Sequence, residues 1–301
     1  MVKLAIICPI HNEEKNIDYF IERTFKSIQD LSELEVELYF SDNGSTDRSR
    51  ELITKQIQMH KNIFYIKLSK NFGYQNSIKA ALSLIESDLY VILDVDCQDP
   101  PELIPIFFKK FKLGNQVVFG RRSYPNEKYI MRFLRRFYYI ILKFASDSEI
   151  ELGMAEFALF SKKVRDAVLI NRSTLPFLRA ELVQVGFPRY GIDYSREKRN
   201  FGVTHYNFIS SLKFGIAGIL NSSTFLLRIM PFAAILTLLS SIILFFLFNK
   251  NLLHYIIIQL NLITLFISFI GIYLARVFHN SNGRPLFVVD FDKSILMLGK
   301  E

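Results

Sequence analysis

The chain has 301 residues, half of them hydrophobic, and a formal net charge of +8. That length accommodates one sizeable globular domain and a smaller part. The basic residues flank apolar and aromatic segments and form no arginine- and lysine-rich tail, which favours a membrane surface and argues against nucleic acid as a partner. The two cysteines, Cys8 and Cys97, have neither metal spacing nor a disulfide framework, so a reducing compartment is predicted.

The first hundred residues alternate between short apolar runs and amphipathic stretches. The apolar runs predict strands, and the periodic stretches between them predict helices. Strands are predicted over residues 3–8, 36–40, 63–68 and 89–93, and helices over 16–31, 48–59 and 76–86. This alternation predicts an α/β fold, in which a mostly parallel sheet carries helices on both faces.

The pattern becomes less regular after the fourth strand. A helix is predicted over residues 102–113, a fifth strand over 116–119 and an edge strand over 183–187. Residues 128–144 are basic and aromatic, which predicts an amphipathic helix at a membrane interface. An ordinary helix with a solvated basic face explains that stretch equally well.

Two uncharged apolar runs near the C-terminus, residues 230–248 and 252–275, are each long enough for a membrane helix. Positive charge is denser outside the pair than between its members, so both outer ends are expected in the cytoplasm. The predicted divisions are a cytosolic catalytic domain over 1–206, juxtamembrane amphipathic helices over 207–228, a transmembrane helical hairpin over 229–277 and a cytosolic tail over 278–301. The predicted location is the cytoplasmic (inner) membrane, as a multi-pass protein whose catalytic domain faces the cytoplasm.

An acidic loop follows the fourth strand. Asp94 and Asp96 emerge there two residues apart, so they point the same way in an extended chain. Like charges this close favour a cation between them. Together with the amide of Gln98 they form a hard oxygen donor set, which suits Mg²⁺ or Mn²⁺ and would not select zinc. Taken alone, this motif also fits a polar loop that caps a strand.

Polar loops follow the other predicted strands, and their order along the chain is informative. These are Cys8-Pro9-Ile10-His11-Asn12-Glu13-Glu14, Asp42-Asn43-Gly44-Ser45-Thr46-Asp47, Lys70-Asn71-Phe72-Gly73 and Asp94-Val95-Asp96-Cys97-Gln98-Asp99-Pro100-Pro101. With the C-terminal hairpin, the set resembles glycosyltransferase family 2 with its GT-A fold, and within it the polyprenyl-phosphate branch. The resemblance implies an inverting enzyme that moves a sugar from a nucleotide-sugar, UDP-linked in the first instance, to a membrane polyprenyl phosphate for cell-surface glycan or lipopolysaccharide modification.

The resemblance also implies roles for individual residues. Implied nucleotide-binding residues are Pro9, His11, Glu13, Asp42, Lys70, Asn71 and Asp94. Implied metal ligands for Mg²⁺ or Mn²⁺ are Asp96 and Gln98. Implied catalytic residues are Asp94, Glu156, Arg121, Arg135 and Arg199, the arginines contacting phosphates. Implied partners are the donor, the lipid phosphate and the membrane, with homo-oligomers known in the family.

Three positions depart from the family pattern. Glu156 stands where an aspartate is usual, Ala158 where an arginine is usual, and His205 where a lysine is usual. Either the acceptor differs, or another arginine substitutes, or activity is weak. Two other functions therefore stay open: transfer to a saccharide acceptor in polysaccharide synthesis, and a membrane protein that binds nucleotide-sugars without catalysis. The absence of any tryptophan counts against the first, because processive synthases carry a tryptophan-containing motif.

Overall fold

The structure, a computed structural model, describes residues 1–123, 151–171, 173, 176–198, 225–248, 252–283 and 285–296. The chain divides into two compact units. The first unit comprises Met1–Arg135, Glu151–Ser210 and Pro285–Glu301, and the second comprises Arg136–Ile150 and Ser211–Arg284. The helix predicted over 128–144, most of the segment 207–228, Arg135, Arg199 and His205 lie outside the described residues.

Seven strands of the first unit form one sheet. They are β1 (Val2–Ile10), β2 (Leu34–Asp42), β3 (Ile63–Lys67), β4 (Leu89–Ile92), β5 (Val117–Ser123), β6 (Met154–Ser161) and β7 (Arg189–Ser195). Their order is β3-β2-β1-β4-β6-β5-β7. Every pairing is parallel except those of β6, which runs antiparallel to both β4 and β5. The predicted α/β class with a mostly parallel sheet is confirmed.

Helices cover both faces of this sheet. They are α1 (Ile17–Ile28), α2 (Ser49–Met59), α3 (Tyr74–Leu84), α4 (Ile104–Lys112), α5 (Lys162–Ile170) and α6 (Leu178–Gln184), with a 3₁₀ turn at Pro101–Leu103. Helices α1, α2 and α4 bury side chains such as Phe20 and Phe107 against one face. Helices α3, α5 and α6 bury side chains such as Ile78 and Leu178 against the other. Successive buried residues of β1 to β6 pack into opposite cores, because side chains alternate along a strand.

The second half of the first unit differs from the prediction in two places. No strand was predicted over Met154–Ser161, which forms the interior strand β6 and is buried along its whole length. The edge strand predicted over 183–187 is wrong, because Leu178–Gln184 forms α6 and the edge strand is Arg189–Ser195. Leu178 and Leu182 lie four residues apart on one helical face, and both are buried in the core.

The segment after Pro285 belongs to the first unit and borders β3. Isolated antiparallel bridges join Tyr65 to Ile295 and Leu68 to Val289. The amide of Ile295 donates to the carbonyl of Tyr65 at 2.7 Å. A paired segment along the outer strand covers backbone groups that an open sheet edge leaves exposed.

The second unit contains two long helices, α7 (Phe225–Phe248) and α8 (Leu252–Ser281). They contact each other, and Nε2 of Gln259 donates to the carbonyl of Thr237 at 3.3 Å. Large apolar side chains such as Phe232 and Ile267 are exposed. The predicted pair of helices is therefore present. Among the described residues, no helix combines the length and apolar content that crossing a membrane requires, and the transmembrane placement stays a prediction.

Candidate active site

Three loops at the carboxyl ends of β1, β2 and β3 bind one another directly. Nδ2 of Asn43 donates to Oδ1 of Asn71 at 2.9 Å, and Nδ2 of Asn71 lies 3.3 Å from Nε2 of His11. Gly44 makes this approach feasible: it has a φ of +80°, and a Cβ there would lie 2.7 Å from the backbone nitrogen of Asn71. The structure therefore brings together His11 and Asn71, which the sequence predicted as nucleotide-binding residues.

Pro9 and Glu13 belong to the first of these loops in different ways. Pro9 is buried at the end of β1, in register with Ser41 of β2. The backbone N–H of Glu13 donates to Oγ of Ser49, and Oε2 of Glu13 accepts from Nδ2 of Asn16 at 2.5 Å. Glu13 therefore shapes the entry into α1, whereas Pro9 belongs to the buried end of β1.

Asp42 is fully buried at the end of β2. Its Oδ1 accepts from the backbone N–H of Ser45 at 2.7 Å, and its Oδ2 accepts from Nζ of Lys67 at 2.8 Å and from the Tyr65 hydroxyl. Lys70, which was predicted as a nucleotide-binding residue, is exposed, and its ammonium lies 5.1 Å from the centre of the Phe72 ring. Lys67 was not predicted as a site residue, and its single charge at the end of an apolar strand was the available signal.

The acidic loop follows β4 directly. Oδ1 of Asp94 accepts from the Tyr74 hydroxyl at 2.6 Å, and Oδ1 of Asp96 accepts from the backbone N–H of Gln98 at 3.1 Å. Cys97, between Asp96 and Gln98, has a φ of +52°, a left-handed backbone conformation that residues other than glycine rarely adopt. Burial raises the pKa of Asp94 to about 7, and the carboxylates of Asp99 and Asp96 add to that rise.

The donor set of this loop fits a divalent cation. Negative charge crowds around Asp94, and a bound cation would relieve it. Nε2 of Gln98 donates to the carbonyl of Glu197 at 3.2 Å, which leaves the amide oxygen as the donor atom for a metal. In the part of the chain that the structure describes, no group of three or more His, Cys, Asp or Glu side chains is placed to hold a metal. The fit therefore rests on Asp96 with Gln98.

Residues that the sequence analysis did not single out hold the acidic loop from two sides. Oδ2 of the buried Asp99 lies 2.7 Å from Nη2 of Arg122, and its Oδ1 accepts from the Tyr194 hydroxyl at 2.5 Å. Arg23 of α1 pairs with Glu102 at 2.8 Å and with Glu197 at 2.9 Å. The loop is thus tied to β5, β7 and α1.

Of the three predicted phosphate-binding arginines, the structure describes Arg121 alone. Its Nη1 lies 3.4 Å from Oδ1 of Asp193, and its Nη2 lies 3.8 Å from Oε2 of Glu151. The side chain of Arg121 is 40% exposed. The adjacent Arg122 is the one that reaches the acidic loop, because neighbouring side chains on a strand point to opposite faces.

Glu156 lies on β6, where two other elements donate to it. Its Oε1 accepts from Nε2 of Gln75 and from Nε of Arg179, each at 2.9 Å. Gln75 follows Tyr74 at the start of α3, immediately after the predicted Lys70–Gly73 segment. Arg179 belongs to α6 and also donates to the carbonyl of Met154 at 3.1 Å. An arginine therefore stands beside Glu156 although residue 158 is alanine.

The amino-acid sequence matches a known protein family and resembles curated relatives along most of its length. Residues 5–169 match the family described as Glycosyl transferase family 2. The uncharacterized glycosyltransferase YkcC of Bacillus subtilis (strain 168) is 30% identical over 302 residues, which cover 96% of this chain and 93% of that protein. The bactoprenol glucosyl transferase of Shigella phage SfV is 25% identical over 306 residues, which cover 97% of this chain and 99% of that protein.

Among solved structures, mannosyl-3-phosphoglycerate synthase from Rubrobacter xylanophilus aligns with a TM-score of 0.47 at 13% identity and covers 73% of each chain. The family match alone covers more than half of the sequence, and the first relative extends the similarity to nearly all of it. The protein therefore belongs to glycosyl transferase family 2.

Proposed function

We propose that this chain transfers a sugar from a nucleotide-sugar, UDP-linked in the first instance, to a polyprenyl phosphate. Family membership supplies the glycosyl transfer. The lipid acceptor is supported by the similarity to bactoprenol glucosyl transferase along nearly the full length of both chains. The observation that carries the proposal is the Asp94–Gln98 loop at the carboxyl end of β4, at the same sheet edge as His11 and Asn71. Ligands of parallel α/β sheets bind at that edge.

The donor nucleotide would lie on the loops after β1, β2 and β3. His11 and Asn71 are exposed there and offer hydrogen-bonding groups to a base or ribose. Lys70 is exposed as well, and its flexible ammonium suits a diphosphate. Asp94 would accept hydrogen bonds from the ribose or the sugar.

Asp96 and Gln98 would hold Mg²⁺ or Mn²⁺. When bound, the cation supplies Lewis acidity that neutralises charge on the departing diphosphate. Asp99 and Arg122 form an ion pair, and their role is then to hold the backbone of the acidic loop in place. Metal dependence is part of the proposal.

The reaction itself needs little acid–base chemistry. An oxygen of the lipid phosphate, already anionic, attacks the anomeric carbon on the side opposite the nucleotide, and the nucleoside diphosphate leaves with inversion. Because the nucleophile carries no proton that must be removed, positioning and charge supply most of the rate. Arg121, Arg135 and Arg199 are proposed to bind phosphate oxygens, for which a planar guanidinium is well suited.

The proposal places the reaction at the cytoplasmic face of the inner membrane, in the synthesis of cell-surface glycans. A polyprenyl chain requires an apolar environment. The exposed apolar side chains of α7 and α8, such as Phe232 and Ile267, support contact between the second unit and lipid.

Product analysis tests this function. The full chain is incubated with Mn²⁺, polyprenyl phosphate and radiolabelled UDP-glucose, UDP-galactose, UDP-N-acetylglucosamine or GDP-mannose, and the lipids are extracted. The expected product is a labelled lipid that mild acid hydrolyses. Label in a polymer instead would replace the lipid acceptor by a saccharide, and no labelled product from any donor would contradict transfer.

A further inference from the structure

The side chain of Glu156 is buried, and its two oxygens have unequal surroundings. The residue is 7% exposed. Oε1 accepts two hydrogen bonds, from Gln75 and from Arg179. Oε2 is fully buried and has no hydrogen-bond partner among the described residues. One carboxylate oxygen is therefore held by the protein while the other has an unmet capacity to accept.

An unmet buried acceptor is costly, because the group has lost water and gained nothing in return. The surrounding contacts keep it in this state. Oε1 of Gln75 accepts from the backbone N–H of Leu178 at 3.0 Å, so the glutamine is itself oriented by α6. Arg179 is fixed by the carbonyl of Met154. A carboxylate positioned this firmly is prepared to accept a hydrogen bond from something that binds.

Its position is next to the proposed donor site. Strands β4 and β6 pair with Ile92 opposite Ala158, and this register continued by two residues sets Asp94 opposite Glu156 on the same face of the sheet. The first two residues of α3 confirm the proximity: Tyr74 donates to Asp94 and Gln75 donates to Glu156. One helix start thus serves both carboxylates.

The chemistry of the free oxygen selects its ligand. A carboxylate oxygen accepts and cannot donate. A lipid phosphate or a diphosphate also presents negative acceptor oxygens, which Oε2 would repel. A sugar hydroxyl is a neutral donor and matches it.

We propose that Oε2 of Glu156 accepts a hydrogen bond from a hydroxyl of the sugar being transferred, so that Glu156 selects the donor sugar. Gln75 and Arg179 are positioning residues for that carboxylate. The inference rests on the proposed nucleotide-sugar donor and does not require the lipid acceptor.

Binding measurements without acceptor test it. The full chain and its variants Glu156→Ala and Glu156→Gln are titrated calorimetrically, in Mn²⁺, with UDP, UDP-glucose, UDP-galactose, UDP-N-acetylglucosamine, GDP and GDP-mannose. Glu33→Gln is the matched control, since Glu33 is exposed and pairs with Lys112 on the surface. Thermal unfolding checks that each variant is folded. If Glu156→Ala does not fold, Glu156→Gln, which retains the side-chain volume, takes its place.

The expected result separates sugar from nucleotide. Glu156→Ala binds the bare nucleotide within about twofold of wild type and binds the preferred sugar nucleotide at least about tenfold more weakly. Glu156→Gln also loses affinity for the sugar nucleotide, to a smaller extent. Monodeoxy analogues of that donor identify the hydroxyl. Wild type should bind the analogue that lacks it more weakly than the parent donor, whereas Glu156→Ala should bind the two with similar affinity.

Three outcomes would contradict the inference, the donor assignment or the acceptor assignment, and they can be told apart. If both Glu156 variants bind the sugar nucleotide as wild type does, the carboxylate does not read the sugar, and the inference fails alone. If wild type binds no sugar nucleotide better than the bare nucleotide, the inference fails and the donor assignment loses its support. If the Glu156 effect is found and no lipid is labelled in the product assay, the acceptor assignment fails and the inference stands.

Discussion

Nη2 of Arg122 lies 2.7 Å from Oδ2 of Asp99, whose side chain is 1% exposed. The hydroxyl of Tyr194 donates to the other oxygen of the same carboxylate. Arg122 and Tyr194 come from β5 and β7, whereas Asp99 ends the acidic loop after β4. The edge of the sheet farthest from the predicted nucleotide loops therefore fixes the loop that carries the predicted metal ligands.

Replacing Asp99 by asparagine should reduce both stability and turnover. The substitution leaves the Arg122 guanidinium without its counter-charge, which we expect to lower the free energy of unfolding by about 3 kcal/mol. Urea denaturation measures the first effect, and sugar transfer at a temperature where the variant is folded measures the second. Asp30→Asn on the exposed surface is the control. Unchanged turnover in a folded Asp99→Asn protein would show that the loop needs no support from β5.

Asp96→Ala should leave the protein folded and remove its response to Mn²⁺. Loss of a proposed ligand is expected to lower turnover at least about a hundredfold, since a bound Lewis acid contributes several kcal/mol. Calorimetric titration with Mn²⁺ in the presence of nucleotide should show binding to wild type and to Asp30→Ala, and weakened binding to Asp96→Ala. Equal Mn²⁺ affinity in all three proteins would refute the metal assignment.

Asp42 and Lys67 allow a structural role to be separated from base recognition. Asp42→Asn leaves Lys67 without its counter-charge in a largely buried position, and we expect a loss of about 3 kcal/mol in the free energy of unfolding. The double variant with Lys67→Met should recover part of that loss. The affinity of the double variant for UDP then decides the role. An affinity equal to that of wild type would assign Asp42 to the fold, and a weaker affinity would assign it to nucleotide binding.

Both cysteines should resist alkylation in the folded protein. Cys8 and Cys97 are buried, and burial raises the pKa of the Cys97 thiol to about 12 and that of Cys8 well above its ordinary value. A thiol with a raised pKa stays protonated at pH 8, and the thiolate is the reactive form. Mass spectrometry after treatment with iodoacetamide should find both unmodified in buffer and both modified in urea. Rapid labelling of Cys97 in buffer would show that the acidic loop opens.

Ile295→Pro should weaken the pairing along β3. Proline removes the N–H that donates to the Tyr65 carbonyl, which we expect to cost about 1–3 kcal/mol. Ile295→Ala, which keeps the N–H, is the matched control. Hydrogen exchange at residues 63–68 should accelerate in the proline variant, and equal exchange in both variants would show that the bridge adds nothing.

The sequence predicted best where structure is set locally. Each strand and helix of the first ninety residues has its own apolar run or helical period, so their order and the parallel sheet could be inferred. The position of Asp94 and Asp96 after β4 could be inferred for the same reason, because the residues that follow a buried strand lie at the edge where such sheets bind ligands.

The remainder depends on contacts that no local pattern encodes. A short apolar run such as Met154–Ser161 does not indicate the direction of the strand or which strands it pairs with. The run 183–187 has the pattern of a strand, although α6 ends within it. The choice between Arg121 and Arg122 depends on the register of β5. Gln75 and Arg179 meet Glu156 across 81 and 23 residues of chain, which only the folded topology brings together.

The insertion of β6 between β4 and β5 has a consequence for the order of assembly. Leu89 pairs with Ser161, 72 positions later. The pairing of β4 with β6 therefore requires the closure of a long loop, which costs conformational entropy. Strands β1, β2 and β3 pair across shorter separations, such as Val2 with Leu34 and Leu38 with Ile63, and are expected to form first. The carboxylate that we assign to sugar selection would therefore reach its place late, after the nucleotide side of the cleft already exists.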